Sequence, residues 1–120
     1  MRRVLHLTEL RNANGELDCE NGPAVFNEDK TYTMYYRNGK LERKDGPAVT
    51  RPRSIDGKSS VIEYRRNGEY HRDEDEPSYI GDWYGHEDSY EHVYYKNGKQ
   101  HRVGKPSRII FDALDKVFYV

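Results

Sequence analysis

Short apolar and aromatic runs alternate along the chain with turn residues. Four of them follow a proline directly: Ala24-Val25-Phe26, Ala48-Val49-Thr50, Ser78-Tyr79-Ile80 and Ser107 to Phe111. Proline can open a strand but cannot sit inside a central one. Other runs lead into Asn-Gly, as in Met34-Tyr35-Tyr36-Arg37-Asn38-Gly39. Asn-Gly between such flanks is a strong hairpin signal, because both residues tolerate the positive φ of a type I′ turn. The pair occurs at 14, 38, 67 and 97, at intervals of 24, 29 and 30 residues. Strand, turn, strand is thus repeated four times, and the chain is expected to be all-β with almost no helix.

The whole phrase recurs, not only the turn. Asn38 to Ala48 is echoed by Asn14 to Ala24, and more weakly by Asn67 to Ser78 and Asn97 to Ser107. Proline follows the asparagine after nine residues in three copies and after ten in the third, from Asn67 to Pro77. The extra residue predicts a bulge or a longer loop. Two-residue turns pair Arg37 with Lys40, Tyr36 with Leu41, Tyr35 with Glu42 and Met34 with Arg43. The same register pairs Tyr64 with His71, Glu63 with Arg72, Tyr94 with His101 and Val93 with Arg102. Tyr35, Tyr64 and Tyr94 then recur on one face, which reads as a tyrosine core. Loops are expected at Asn27 to Lys30, Pro52 to Lys58, Gly81 to Ser89 and Asp112 to Asp115. The first copy has a degenerate opening strand, Val4 to Leu10, and Lys116 to Val120 is an apolar strand that caps the stack, as terminal repeats do. The architecture expected is one repeat domain over 1–120, with copies at about 4–26, 31–50, 61–80 and 90–120. It is an antiparallel meander of successive β-hairpins in a single elongated twisted sheet.

Composition makes this sheet thin. Apolar residues are 34% and charged residues 34%, a balance that in other chains signals disorder. Eleven tyrosines, a net charge of −1 and regular turns argue for order. Tyrosine buries a ring and keeps its hydroxyl wet. The small net charge gives no bulk attraction to nucleic acid or membranes. The single cysteine, Cys19, permits no intramolecular disulfide and fits a reducing compartment. No run approaches the roughly 18 apolar residues of a membrane span. Glu9 and Arg11 interrupt the first apolar stretch, so no signal peptide is expected.

Tyr-Tyr-(Arg/Lys)-Asn-Gly-Lys, followed by Glu/His-Arg and Gly-Pro-Ala, resembles the MORN-variant repeats of large phages and giant viruses. It is similar also to bacterial MORN-like repeat antitoxins. The match covers residues 14 to about 111 and is best from Tyr35 to Val49. His71-Arg72 and His101-Arg102 fit the family's His-Arg, whereas Asp18-Cys19 departs from it and Glu42-Arg43 fits in part. The resemblance implies a MORN-like scaffold for assembly or binding and carries no catalytic residues. It alone implies a viral origin, the host cytoplasm as location, and a host defence or regulatory protein as target.

Candidate chemistry is sparse. His71 and His101 sit at equivalent positions one repeat apart, with no recurring Cys, Asp or Glu beside them, so a turn hydrogen bond or packing on tyrosine is preferred to a metal. Arg43, Arg72 and Arg102 recur as ties for the following turn. Cys19 has no general base at a recognisable spacing, and no phosphate-binding glycine loop is present. Neither catalytic residues, metal nor cofactor are assigned.

Charge distribution is more informative than its sum. Asp73 to His92 holds eight acids and no Lys or Arg, leaving the other hundred residues at +7. Embedded in it are Tyr79, Trp83, Tyr84 and Tyr90. Aromatics anchor interfaces and acids steer basic partners. Two readings stand: a solvated loop whose Trp83 folds back on the sheet, or a partner-binding patch of Tyr79, Asp82, Trp83, Tyr84, Glu87 and Asp88. The second makes the chain a non-catalytic protein-binding module docking a host or viral protein with a basic surface, without direct nucleic-acid or membrane contact. Alternatives are a self-assembling or virion-associated scaffold and an acidic mimic that blocks a nucleic-acid-binding enzyme. The basic side runs through Arg37, Lys40, Arg43, Lys44, Arg51, Arg53, Lys58, Arg65 and Arg66, where repeat-to-repeat charge pairing competes with a phosphate surface.

Overall fold

The computed structural model describes residues 6–52, 60–83, 86–111 and 117–119, without the side chains of 82–83, 86–89 and 117–119. The described residues contain no helix. The first strands are β1 (Thr8–Glu9), β2 (Val25–Phe26), β3 (Thr33–Met34), β4 (Tyr36–Arg37), β5 (Lys40–Leu41), β6 (Val49–Pro52) and β7 (Ser60–Glu63). Then come β8 (Arg65–Arg66), β9 (Glu69–Tyr70), β10 (Tyr79–Trp83), β11 (His86–Val93), β12 (Tyr95–Lys96), β13 (Lys99–Gln100), β14 (Arg108–Phe111) and β15 (Val117–Tyr119).

Nine of these form one antiparallel sheet in sequence order, β1-β2-β3-β6-β7-β10-β11-β14-β15. The remaining six make three two-stranded hairpins, β4–β5, β8–β9 and β12–β13, one at each of the last three Asn-Gly turns. The expected single sheet is thus a main meander carrying three separate hairpins. The expected registers hold at Tyr36–Leu41 and Arg37–Lys40. Further in, the Tyr35, Tyr64 and Tyr94 carbonyls still accept from the N–H groups of Glu42, His71 and His101, at 3.0 Å each. Their own N–H groups turn to the Ala48, Ser78 and Ser107 carbonyls at 2.7–2.8 Å. The expected pairs Met34–Arg43, Glu63–Arg72 and Val93–Arg102 do not form. Met34 pairs with Val49, and Glu63 and Val93 flank Tyr79. The loop before each proline splits the ladder at this point.

The turns explain why Asn-Gly stands there. Asn38, Asn67 and Asn97 lie at φ 50 to 54° and their glycines at 81 to 86°, the left-handed pair that a type I′ turn requires. The first copy differs. Asn14 is absent from the positive-φ residues, Gly15 donates to the Asn12 carbonyl (3.0 Å) and Asn12 to that of Glu16 (2.9 Å). That is a three-residue loop closed by a glycine bulge, a departure from the two-residue turn its sequence suggested. The extra residue of the third copy is accommodated in a loop where Glu74 takes φ 68°.

One cross-strand row runs Val25–Met34–Val49–Glu63–Tyr79–Val93–Arg108. Its face carries most of the buried aliphatics: Val25, Val49, Val61, Val93 and Ile110. The opposite face carries Tyr35, Tyr64 and Tyr94 beside Ala24, Ala48 and Ser78, the last three with no exposed surface. Of the three tyrosines expected as a core, Tyr94 is buried, while Tyr35 and Tyr64 are half-buried. Each is roofed by an arginine. The Arg43, Arg72 and Arg102 guanidiniums lie 4.0, 3.8 and 3.9 Å from the Tyr35, Tyr64 and Tyr94 ring centres. Each also donates to the carbonyl of its following proline, Pro47 (3.2 Å), Pro77 (3.0 Å) or Pro106 (3.1 Å). This clamp folds the loop back over the small residue after the proline. Extents of 46 × 41 × 18 Å match one layer, since a second sheet would stand about 10 Å away.

Ala48→Leu should therefore destabilise the chain by about 1–3 kcal/mol through overpacking beneath the clamp. Val103→Ser, at a position 82% exposed, should stay within about 0.5 kcal/mol. Urea unfolding of the two variants checks both.

Candidate protein interface

Gly81 to Ser89 is not the simple loop expected from its polar residues. β10 and β11 pair from Tyr79–Val93 to Asp82–Tyr90, and after a register shift Trp83 faces His86. They are the longest strands in the chain. On one side β7 pairs only with Tyr79 and Ile80. On the other, β14 reaches Tyr90 and no further. Asp82, Trp83 and His86 to Ser89 therefore form a hairpin arm whose backbone pairs only with itself among the described residues. Tyr84 and the side chains of Asp82, Trp83, Glu87 and Asp88 lie outside what is described.

Tyr79, at the base of the arm, is described. It folds back along its own strand, and a methyl group on Gly81 would sit 2.6 Å from its hydroxyl. Tyr70 meets it edge-on at 6.0 Å and stacks on Tyr95 at 4.7 Å. The Arg65 guanidinium lies 3.5 Å from the Tyr70 ring centre and pairs with Glu63 at 2.7 Å. Together with Glu91, Arg108 and Gln100, the rings of Tyr70, Tyr79 and Tyr95 line a groove of about 390 Å³. On the opposite face, Tyr90, His92 and Phe111 form a second aromatic cluster, with ring centres 4.8–5.7 Å apart. Burial pulls the His92 imidazole below its ordinary value.

Part of the acid block serves the fold. Asp75 takes Arg102 through both oxygens, at 2.8 and 3.3 Å, and Lys105 at 3.5 Å. Glu91 takes Arg108 at 2.8 Å. Asp73 bonds His71 and Arg66, and these hold its carboxyl below the usual range, the His71 hydrogen bond most. On the basic side Arg37 pairs with Asp18 at 3.1 Å. Arg102–Asp75 and Arg37–Asp18 both join successive copies. Arg51 lies in β6, whereas Arg53 and Lys58 fall outside the described residues.

The turn hydrogen bond expected at the recurring histidine position is present at His71. In each of the first three copies the residue three after the turn glycine caps the next turn. The Asp18 carboxylate accepts from the Asn38 N–H (2.8 Å), and Glu42 accepts from Asn67 (2.9 Å). His71 Nδ1 accepts from Asn97 (3.1 Å). His71 is thereby fixed as the Nε2–H tautomer, with Nε2 donating to Asp73 (2.9 Å). One residue earlier, the Leu17, Leu41 and Tyr70 carbonyls accept from the N–H groups of Gly39, Gly68 and Gly98, at 2.8–2.9 Å. The shared requirement is an acceptor, which is why Asp, Glu and His interchange there. Cys19 is structural in the same joint, its N–H donating to the Tyr36 carbonyl at 3.2 Å. Among the described residues no three His, Cys, Asp or Glu converge as metal ligands would, and no helix is long and apolar enough to cross a membrane.

No protein-family model, curated protein or solved structure matches the chain. Function must therefore be argued from these surfaces.

Two outcomes follow. His71→Ala should cost about 1–2 kcal/mol by orphaning the Asn97 N–H, while His71→Glu, copying Glu42, should cost less than half as much in urea unfolding. Separately, burial, with the Glu63 carboxylate second, pushes the Tyr70 phenol from 10.0 up to about 12. The folded chain holds this proton to higher pH than the unfolded chain, so its contribution is full below pH 10 and fades as pH rises towards 12. Tyr70→Phe should remove that part of the alkaline loss of stability.

Proposed function

We propose that the chain is a non-catalytic protein-binding module that docks its partner through the arm of β10 and β11. The carrying observation is the projection of this arm. Two paired strands extend past the pairs their neighbours make among the described residues, and their sequence, Asp82-Trp83-Tyr84-Gly85-His86-Glu87-Asp88, combines aromatics with acids. A hairpin that only returned the chain would need neither the length nor the tryptophan. Trp83 and Tyr84 are assigned as anchors, Asp82, Glu87 and Asp88 as a charged rim, and Tyr79 as the support at the base. The partner class is a protein with a basic surface, because acids around an aromatic centre steer such partners and reject acidic ones.

With the resemblance to viral MORN-variant repeats, the target is a host defence or regulatory protein inhibited by a blocked surface. The nucleic-acid-mimic alternative carries less weight, because Asp73, Asp75 and Glu91 already neutralise Arg66, Arg102 and Arg108 within the chain.

The partner captured by the intact chain should bind the Trp83→Ala/Tyr84→Ala variant at least about 30-fold more weakly, as removing two hot-spot residues at about 2 kcal/mol each allows even with poor additivity. Circular dichroism confirms that the variant is folded. Unchanged affinity in a folded variant sinks the assignment of this arm.

A further inference from the structure

The turn-to-turn joints form a ladder with a direction. Each joint has a donor side, the Asn and Gly N–H groups of one turn, and an acceptor side on the preceding copy. The three acceptor pairs are Leu17 with Asp18, Leu41 with Glu42 and Tyr70 with His71. Gln100 and His101 occupy the same two positions in the fourth copy. No fifth turn meets them among the described residues, and His101 is exposed. Two residues on, Val103 is 82% exposed, the most exposed large apolar side chain among the described residues. The donor end is sealed. The Asn14 and Glu16 N–H groups are taken by Asn12 Oδ1 at 2.9 and 3.0 Å, and that of Gly15 by the Asn12 carbonyl. The first turn also has the wrong loop type to enter a joint, so a second copy of this chain does not fit the open end.

The joints also carry a charge rule. The residue after each turn glycine is Glu16, Lys40, Glu69 and Lys99, alternating in sign. These side chains lie over the glycine of the next turn: Glu16 Oε2 would be 3.3 Å from a methyl on Gly39, Lys40 Cβ 3.8 Å from one on Gly68, and Glu69 Oε2 3.3 Å from one on Gly98. Each charge thus overhangs a turn whose own following residue has the opposite sign. Lys99 is the last, and the turn it would overhang takes an acid.

We propose that the outer edge of the fourth hairpin, with the Gln100 carbonyl, the His101 imidazole and the Lys99 side chain, is a docking site for a type I′ turn of another polypeptide with the sequence Asn-Gly-(Glu/Asp). The partner's Gly N–H donates to Gln100, its Asn N–H donates to His101 Nδ1, and its acid lies beside Lys99. Val103 supplies apolar contact at the rim. This edge lies in the fourth copy, apart from the acidic arm.

The test uses the full chain, labelled with ¹⁵N, and two backbone-cyclised peptides. One carries Glu63–Arg72, with the turn Asn67-Gly68-Glu69. The other carries Met34–Arg43, with the turn Asn38-Gly39-Lys40. The first should give saturable amide shifts at Lys99 to Arg102 and bind more tightly than the second. His101→Ala should weaken it about fivefold, the worth of one hydrogen bond of about 1 kcal/mol, and Lys99→Glu should invert the preference between the peptides. Both positions are exposed, and the spectra report folding directly. Absence of saturable shifts, equal binding to His101→Ala, or tighter binding of the Lys-containing peptide overturns the proposal. Concentration-dependent self-association with shifts at both 12–16 and 99–102 overturns it too, assigning the edge to a second copy. Trp83→Ala/Tyr84→Ala should leave all of this unchanged, which separates it from the arm's function.

Discussion

Everything in this fold depends on a donor–acceptor joint repeated between successive turns. The main sheet is one layer thick, and only a few small and β-branched side chains are fully buried. Burial of that size stabilises by about 1.5–3 kcal/mol per larger aliphatic, against backbone ordering of about 1–2 kcal/mol for every residue. A thin sheet therefore needs its hydrogen-bonding groups satisfied along its whole width. The type I′ turn solves this locally. Positive φ at Asn and Gly turns two N–H groups outward, where the preceding copy supplies a carbonyl and a polar side chain. The joint orders two copies at once, so cooperativity passes from neighbour to neighbour.

The arginine clamp does the same for the other face. A loop of charged residues has no apolar surface with which to cover a sheet. Arginine provides it, because its planar, weakly hydrated guanidinium stacks on a tyrosine ring while still donating in its own plane. One side chain thus covers Tyr35, holds the Pro47 carbonyl and lies against Gly46. A chain with 34% charged residues thereby covers part of this face with its own cations.

Much of this was legible in sequence. Asn-Gly with aromatic flanks predicted three of the four turns and their inner pairs, because backbone chirality alone decides them. The fourth, at Asn14, misled because a residue upstream, Asn12, captures the N–H groups that would define the turn. Spacing also could not separate a tyrosine that forms a core from one roofed by arginine, since both recur on one face. A turn hydrogen bond was legible at His71, but chemical variety hid that Asp18 and Glu42 play the same acceptor role. Grouping residues as metal ligands or charges conceals what these three share, a lone pair at one distance from the turn. Gly81 to Ser89 looked like a loop because acids are poor strand formers. Its pairing is a tertiary outcome, set by continuing the register from Tyr79–Val93.

The same joint explains why the charge pattern and the architecture belong together. Charges that alternate from turn to turn, and ion pairs such as Arg37–Asp18 and Arg102–Asp75 between successive copies, give each copy a preferred neighbour. Exposed pairs contribute little to stability, so their effect is on order and register, where a slipped repeat would bring like charges together. The acidic segment is carried by β10 and β11, whose neighbours among the described residues pair only as far as Ile80 and Tyr90. Asp82, Glu87 and Asp88 lie beyond those pairs in the sequence. Elsewhere in the same acid block, Asp73, Asp75 and Glu91 are paired with Arg66, Arg102 and Arg108. The proposed binding by the arm rests on the contrast between those paired acids and an acidic, aromatic stretch lying past the pairs that its neighbours make among the described residues.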